Sequence, residues 1–420
     1  MFPNPQDALP LPPHPSLEHY KKRAKDLVTA ARSGEADAIR VWATDWLGTR
    51  GDQVAEYGRE RLMLDEGSCT LSQAQFVIAR SYGFANWPKF AAHVDWLERA
   101  GSTVSAFESA VDAVVAGDED TLNRLLRAHP DLIRATSTRE HRATLLIYTS
   151  ANGVENYRQK SPENAAAVAQ RLLEAGADVD ATADVYRGKC TTLGLVATSA
   201  PPDAAGVQIP VIDVLLRHGA RMDLPDMAGN AHSLLHACLA NGQAKAAEYL
   251  MMHGAPLDPV AAAGLGRVDA LERFFDGTGL RGGPAPTPQQ LGDGFALACA
   301  YGRAEAAAFL LDHGFDVDTL TRGHGEGSTG LHIAAYHGYD ALVSLLIARG
   351  ASVNLVDKTW KTPPLWWALT GWSRKEAAPE DCYRVVARLV AAGAIVAPQI
   401  LEWDNVKQDP RMLAALQGRS

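Results

Sequence analysis

Apolar residues recur three and four positions apart along most of the chain, in short runs that close on a glycine. RLLEAGADVD ends at Asp180, VLLRHGARMD at Asp223, YLMMHGAPLD at Asp258, FLLDHGFDVD at Asp318, LLIARGASVN at Asn354 and the variant RLVAAGAIV at Val396. Each run predicts an amphipathic helix with a leucine pair facing inward, stopped by a glycine that accepts the left-handed conformation. A second phrase lies upstream: ACLANGQAKAAEYL, AAAGLGRVDALERF, ACAYGRAEAAAFL and AAYHGYDALVSLL. In it an Ala-rich helix turns at Gly242, Gly266, Gly302 or Gly338, and an outer helix begins about two residues later.

One helix pair cannot bury its own apolar stripe, whereas stacked pairs bury a continuous core between neighbours. Such units can be laid from about Val104 to about Val396, which gives roughly eight repeats. The unit GSTGLHIAAYHGYDALVSLLIARGASVN, Gly327 to Asn354, resembles the ankyrin family, following its TPLHxAAxxGH and LLxxGAxxN pattern almost throughout. That resemblance implies an all-α class: an ankyrin-repeat solenoid of stacked helix pairs with short finger hairpins, the inner helices and fingers forming a concave face.

The expected organisation is a Pro-rich extended stretch over 1–15, an N-terminal helical region over 16–100, the repeat array over 101–396 and a C-terminal capping helix within 397–420. The 16–100 region holds helix pairs without ankyrin signatures. Its segment AQFVIARSYGFANWPKF looks like a helical region carried by bacterial ankyrin proteins, and capping the apolar end of the array is its plain role.

Composition agrees with many short, closely packed helices: of 420 residues, 47% are apolar but only 7% aromatic. A net charge of -9 offers no general basic field for phosphate backbones or anionic lipid, so neither nucleic acid nor membrane is an expected partner. Cys69, Cys190, Cys238, Cys299 and Cys382 are scattered, without metal-ligand spacing, and suit buried positions in a reducing compartment. With no signal-like apolar core at the N-terminus and no long apolar run elsewhere, a cytoplasmic location is expected.

In the ankyrin pattern the two residues before the inner-helix glycine face the groove. Here that floor is small and polar at Thr198 and Ser199, carries Asn241, and becomes aromatic at Tyr301, Tyr336 and His337. Aromatic side chains give large contact area at low entropic cost, so these are candidate contacts for a protein partner; the competing view is that they pack on finger residues. Trp372 ends an inner helix and Trp360 sits in a finger, where either can meet a ligand. Trp366 takes the slot of His236 and His332 and is expected to fill the core.

Two insertions stand out, GVENYRQKSPEN in the second unit and SAPPDAAGVQIP in the third. The polar run containing Tyr157, Arg158 and Lys160 suits hydrogen bonding to a charged partner, or is simply a solvated loop. An alternative function is a small-molecule site or enzyme built from these loops, with Tyr148, Asn152, Glu155, Tyr157, Arg158 and Lys160 lining a pocket. Glu155, Tyr157 and Lys160 are then the catalytic candidates, Glu155 acting as acid-base group. No GxSxG, HExxH or P-loop supports catalysis, and the Gly-rich run GTGLRGGPAP does not follow a strand.

His324 and Glu326 lie between glycines without a third ligand, so no metal is expected, nor any cofactor. His218, His253, His313, His236 and His332 occupy structural slots of the repeat. The leading expectation is a monomeric protein-binding module; a self-assembling scaffold is the remaining alternative.

Overall fold

The computed structural model describes residues 5–35, 37–48, 51, 55–56, 58, 69–99, 101–223, 233–275, 286–321 and 325–419. They form two compact units, 1–231 and 232–420. The division falls inside the stretch expected to be one array.

The first unit begins with helices α1 (Leu17–Arg32), α2 (Ala38–Leu47), α3 (Leu71–Ser81) and α4 (Trp87–Glu98) among the described residues. Tyr20, Ala24 and Leu27 recur at helical spacing and form the buried stripe of α1. A capping box between Thr70 and Gln73 starts α3, and Asn86 caps α4 with Pro88 in its first turn. Tyr20, Tyr82, Phe84 and Phe90 fill the core between them, the Tyr20 and Phe90 rings lying 5.0 Å apart. The Pro-rich segment is tied down rather than free. Ala8 and Leu9 are buried, and the Leu9 amide donates to the Ser81 carbonyl at 2.8 Å.

Helices α5 (Thr103–Ala116) and α6 (Glu119–Ala128) follow, with α5 packed on α4. A hairpin turn with a bridge between Thr136 and Thr144 leads to a single 3-10 turn, Ile147–Ser150, where an inner helix was expected. Ala151, with φ +48, ends that turn. The insertion then turns inward, burying Val154, Glu155 and Arg158, before it reaches α7 (Ala165–Glu174). Strands β1 (Thr182–Val185) and β2 (Gly188–Thr191) form the one sheet among the described residues, antiparallel, pairing Thr182 with Thr191 and Val185 with Gly188. Helices α8 (Thr192–Ala197), α9 (Ala200–Ala204) and α10 (Gln208–Arg217) complete the unit.

In the second unit the pairs are regular: α11 (Leu234–Ala240) with α12 (Ala244–Met252), α13 (Pro259–Gly264) with α14 (Val268–Phe275), and α15 (Pro288–Ala300) with α16 (Ala304–Asp312). Next come α17 (Gly330–Tyr336) with α18 (Asp340–Ala348) and α19 (Pro364–Arg374) with α20 (Pro379–Ala391). Short helices α21 (Asp404–Lys407) and α22 (Pro410–Leu416) close the end, where Met412 and Leu416 are buried in the common core. Each fully buried leucine of this core, such as Leu331, Leu346 or Leu389, contributes ~1.5–3 kcal/mol.

Two glycines show why the repeat demands them. Gly350 takes φ +87 at the end of α18, and the Ala351 amide turns back to the Leu346 carbonyl at 3.0 Å. Gly371 of α19 lies against the Tyr336 carbonyl so closely that a Cβ has no space. The polar residue ending three of the repeats has a second task. Asp180 accepts from the Arg221 amide, Asp318 from Ser352, and Asn354 from the Ile395 amide. These are ties to the following repeat, not only local turn formers.

Candidate functional site

Trp360, Trp367, His332 and Tyr336 of the second unit gather around one finger turn. Thr329 caps α17 through His332: the Thr329 amide and hydroxyl donate to His332 Nδ1 at 3.2 and 2.8 Å, and Nε2 donates to the Thr362 carbonyl at 3.1 Å. That pattern requires neutral imidazole protonated on Nε2, and burial keeps its pKa below the ordinary value. The histidine thus fastens the inner helix to the next finger.

In that finger the buried carboxylate of Asp357 organises the turn. Its Oδ1 accepts from the amides of Thr359 at 2.8 Å and Trp360 at 2.5 Å. Its Oδ2 accepts from the Thr362 amide at 3.0 Å, the Thr362 hydroxyl at 2.9 Å and Trp367 Nε1 at 3.2 Å. Burial alone raises a carboxyl; here these donors outweigh it and bring Asp357 down to about 2. A permanently ionised acceptor therefore holds the turn at neutral pH.

The turn presents Trp360, whose surface is 66% exposed. Its indole meets the Trp367 ring at 5.2 Å, and Trp367 in turn contacts His332 at 5.5 Å and Tyr336 at 6.1 Å. Tyr336 is half-buried and donates to Glu376 at 2.9 Å, while His337 lies between Tyr336 and Tyr339. Tyr336 and His337 therefore stand with Trp360 in one cluster. Trp372 is half-buried against the core, and Trp366 packs on Trp403 at 5.2 Å.

The remaining expected contacts sit elsewhere. Tyr301 reaches back over the α13 repeat and donates to the Leu239 carbonyl at 2.6 Å; burial pushes its phenol up to about 12. It acts as a strut as well as a surface group. Asn241 is exposed and donates to the Ala237 carbonyl. Thr198 is half-buried and donates to the Gly194 carbonyl, and Ser199, with 3% exposure, turns to the Ala151 carbonyl.

The polar insertion of the first unit differs most from a solvated loop. Glu155 is fully buried and Arg158 nearly so. Arg139 and Arg158 each place Nη1 2.7 Å from Glu108, Arg139 Nε lies 2.8 Å from Glu155, and Arg158 also pairs with Asp112 at 2.8 Å. His141 approaches Glu155 at 3.6 Å, and the Arg158 guanidinium lies over the Tyr157 ring. The loop is pulled in because helix α5 carries a buried carboxylate, Glu108, with the exposed Asp112 one turn on, and arginines compensate the buried charge. Burial raises the Glu155 carboxyl, but the Arg139 charge and the other cations hold it well below the carboxylate range. An acid locked in that state is a poor proton donor near neutral pH.

Neither Glu155 nor Arg158 is offered to solvent, in contrast to the expected pocket lining. Lys160 alone of the three catalytic candidates is exposed; Tyr157 is half-buried. Tyr148 is closed off beside them, and Asn152 is taken by the Leu195 carbonyl and the Tyr186 hydroxyl. The sequence signal for this cluster was the pair Glu108 and Asp112, i and i+4 on an otherwise uncharged helix.

Among the described residues no group of three or more His, Cys, Asp or Glu is placed to hold a metal. His324 and the glycine-rich stretch 277–285 lie outside the described residues. His218, His253 and His313 each donate Nδ1 to the carbonyl four residues earlier, at 2.8 Å. Among the described residues no helix is long and apolar enough to cross a membrane.

Comparison with known proteins matches the family described as ankyrin repeats (3 copies) to residues 293–357, from within α15 to Asp357. Among solved structures the chain is similar to the human ASB11 ankyrin repeat domain, with 21% identity over 69% of this chain and 99% of that one, and a TM-score of 0.35.

Proposed function

We propose that this chain, whose residues 293–357 match the ankyrin-repeat family, recognises a protein partner through the aromatic surface of residues 232–420, with Trp360 as the anchor. Ankyrin repeats are in general protein-interaction modules that use the face built by inner helices and fingers. The observation that carries the proposal is the pairing of an indole 66% exposed with a turn held rigid by Asp357. An exposed tryptophan fixed before binding loses little entropy on contact, which is the character of an interface hot spot.

Tyr336, His337 and Trp372 extend the surface on the inner helices, and Tyr301 and Asn241 continue it along the same unit. In the other unit, Lys160, Tyr157 and Thr198 keep some exposure and are separate candidate contacts. Arg158 and Ser199 support those positions from below the surface.

The test is affinity for the purified partner after its identification by pull-down. Trp360→Ala is expected to weaken binding by tenfold or more, about 1.4 kcal/mol, with Tyr336→Ala and His337→Ala adding smaller losses. Unchanged affinity in the triple variant contradicts the assignment.

A further inference from the structure

Between α4 and the hairpin turn of residues 136–144 lies an open cavity of about 650 Å3. That is within the size range of small-ligand sites. Pro88, Ala92 and Trp96 line one side; spaced four apart, they share one face of α4. Trp96 is 40% exposed there. The opposite wall is the hairpin, which contributes Thr138, Arg139, Glu140 and Arg142.

The hairpin wall is fixed before any ligand arrives. The Glu140 amide donates to the Gly83 carbonyl at 2.9 Å, the Thr138 hydroxyl meets His93 Nδ1 at 2.7 Å, and Arg139 is anchored from behind by Glu108 and Glu155. Arg142 holds φ +53, a left-handed conformation unusual for a non-glycine residue and frequent at functional sites.

The charges around the cavity do not cancel. Arg139 is answered by its buried carboxylates and Glu140 by Arg80. Lys89 and Arg142 also line it, are exposed, and have no ion pair among the described residues. Two unanswered cations thus stand at the rim of an apolar wall.

We propose that this cavity binds an apolar carboxylic acid, its ring or alkyl body against Trp96 and Ala92 and its carboxylate between Lys89 and Arg142. A guanidinium and an ammonium together suit one carboxylate. A more highly charged phosphate gains nothing from the Pro88, Ala92 and Trp96 wall. The site is independent of the Trp360 surface, which belongs to the other unit.

The test is calorimetric titration of the full chain with indole-3-acetate and its neutral analogue indole-3-acetamide. The expected result is saturable one-site binding of the acid and at least tenfold weaker binding of the amide, a gap of about 1.4 kcal/mol. Lys89→Gln with Arg142→Gln should weaken the acid at least tenfold and leave the amide unchanged, with an unaltered thermal midpoint because both side chains are exposed. Trp96→Ala should weaken both ligands, and Trp360→Ala neither. No saturable binding of the acid up to ~1 mM, equal binding of acid and amide, or full affinity in the Lys89 and Arg142 double variant each overturns the proposal.

Discussion

Arg139 Nε lies 2.8 Å from the Glu155 carboxylate, and both side chains are closed to solvent. The pair joins the hairpin turn of residues 136–144 to the insertion that follows the 3-10 turn at Ile147–Ser150. Breaking one partner leaves an uncompensated charge inside. Glu155→Gln is expected to destabilise the first unit by about 3–5 kcal/mol, measured by urea unfolding. Combining it with Arg139→Met should recover part of the loss; equal stability of Glu155→Gln and the natural chain contradicts a buried ionic role.

The same cluster sets an acid sensitivity. Burial raises the Glu108 carboxyl, but the guanidiniums of Arg139 and Arg158 bring it down to about 2 from an ordinary 4.5. The unfolded chain therefore binds more protons between those values, so the stabilisation is complete above about pH 4.5 and drains away as pH falls toward about 2. Unfolding free energies at pH 7, 5, 4 and 3 should stay level to pH 5 and then fall. Glu108→Gln, less stable at neutral pH, should show a shallower fall; an identical slope contradicts the assignment.

Asp357 makes a parallel prediction in the second unit. Asp357→Ala removes the acceptor shared by Thr359, Trp360, Thr362 and Trp367, at a cost of about 1–3 kcal/mol. Amide exchange at Trp360 and Thr362 should accelerate while that at Leu346 changes little. Retained protection of the turn amides counts against its dependence on Asp357.

Gly371→Ala tests packing between α17 and α19. Its Cβ meets the Tyr336 backbone carbonyl, which cannot swing aside as a side chain does. A loss of about 3 kcal/mol or more is expected, seen as a lower thermal midpoint, whereas Gly292→Ala meets nothing within 4 Å and should be tolerated.

The regular half of the molecule was legible because its signals are local. LLxxG endings, Gly turns and Ala-rich inner helices specify α15 to α18 within a few residues, and the polar residue that ends each repeat is visible as a motif. Its longer reach, Asp318 to the Ser352 amide and hydroxyl at 2.9 and 2.5 Å, is a contact between repeats and leaves no local trace. The second repeat was harder. Its inner helix shrinks to Ile147–Ser150, and the polarity of Glu155 and Arg158 suggested solvent because their partners, Arg139, Glu108 and Asp112, lie up to fifty positions away in sequence. Tyr336 and His337 stood out in sequence as aromatics before an inner-helix glycine, while the rigid turn under Trp360 depended on Asp357, an ordinary acidic residue until its donors are seen together.

The most direct measurement of the central claim is site-specific photocrosslinking in the native cell, with the photoreactive residue placed at Trp360 or at Met252, an equally exposed position on the outer helix α12. A discrete crosslinked protein from position 360 and none from position 252 is the predicted result. Crosslinking from 252 alone, or equal products from both, contradicts recognition through the aromatic finger surface.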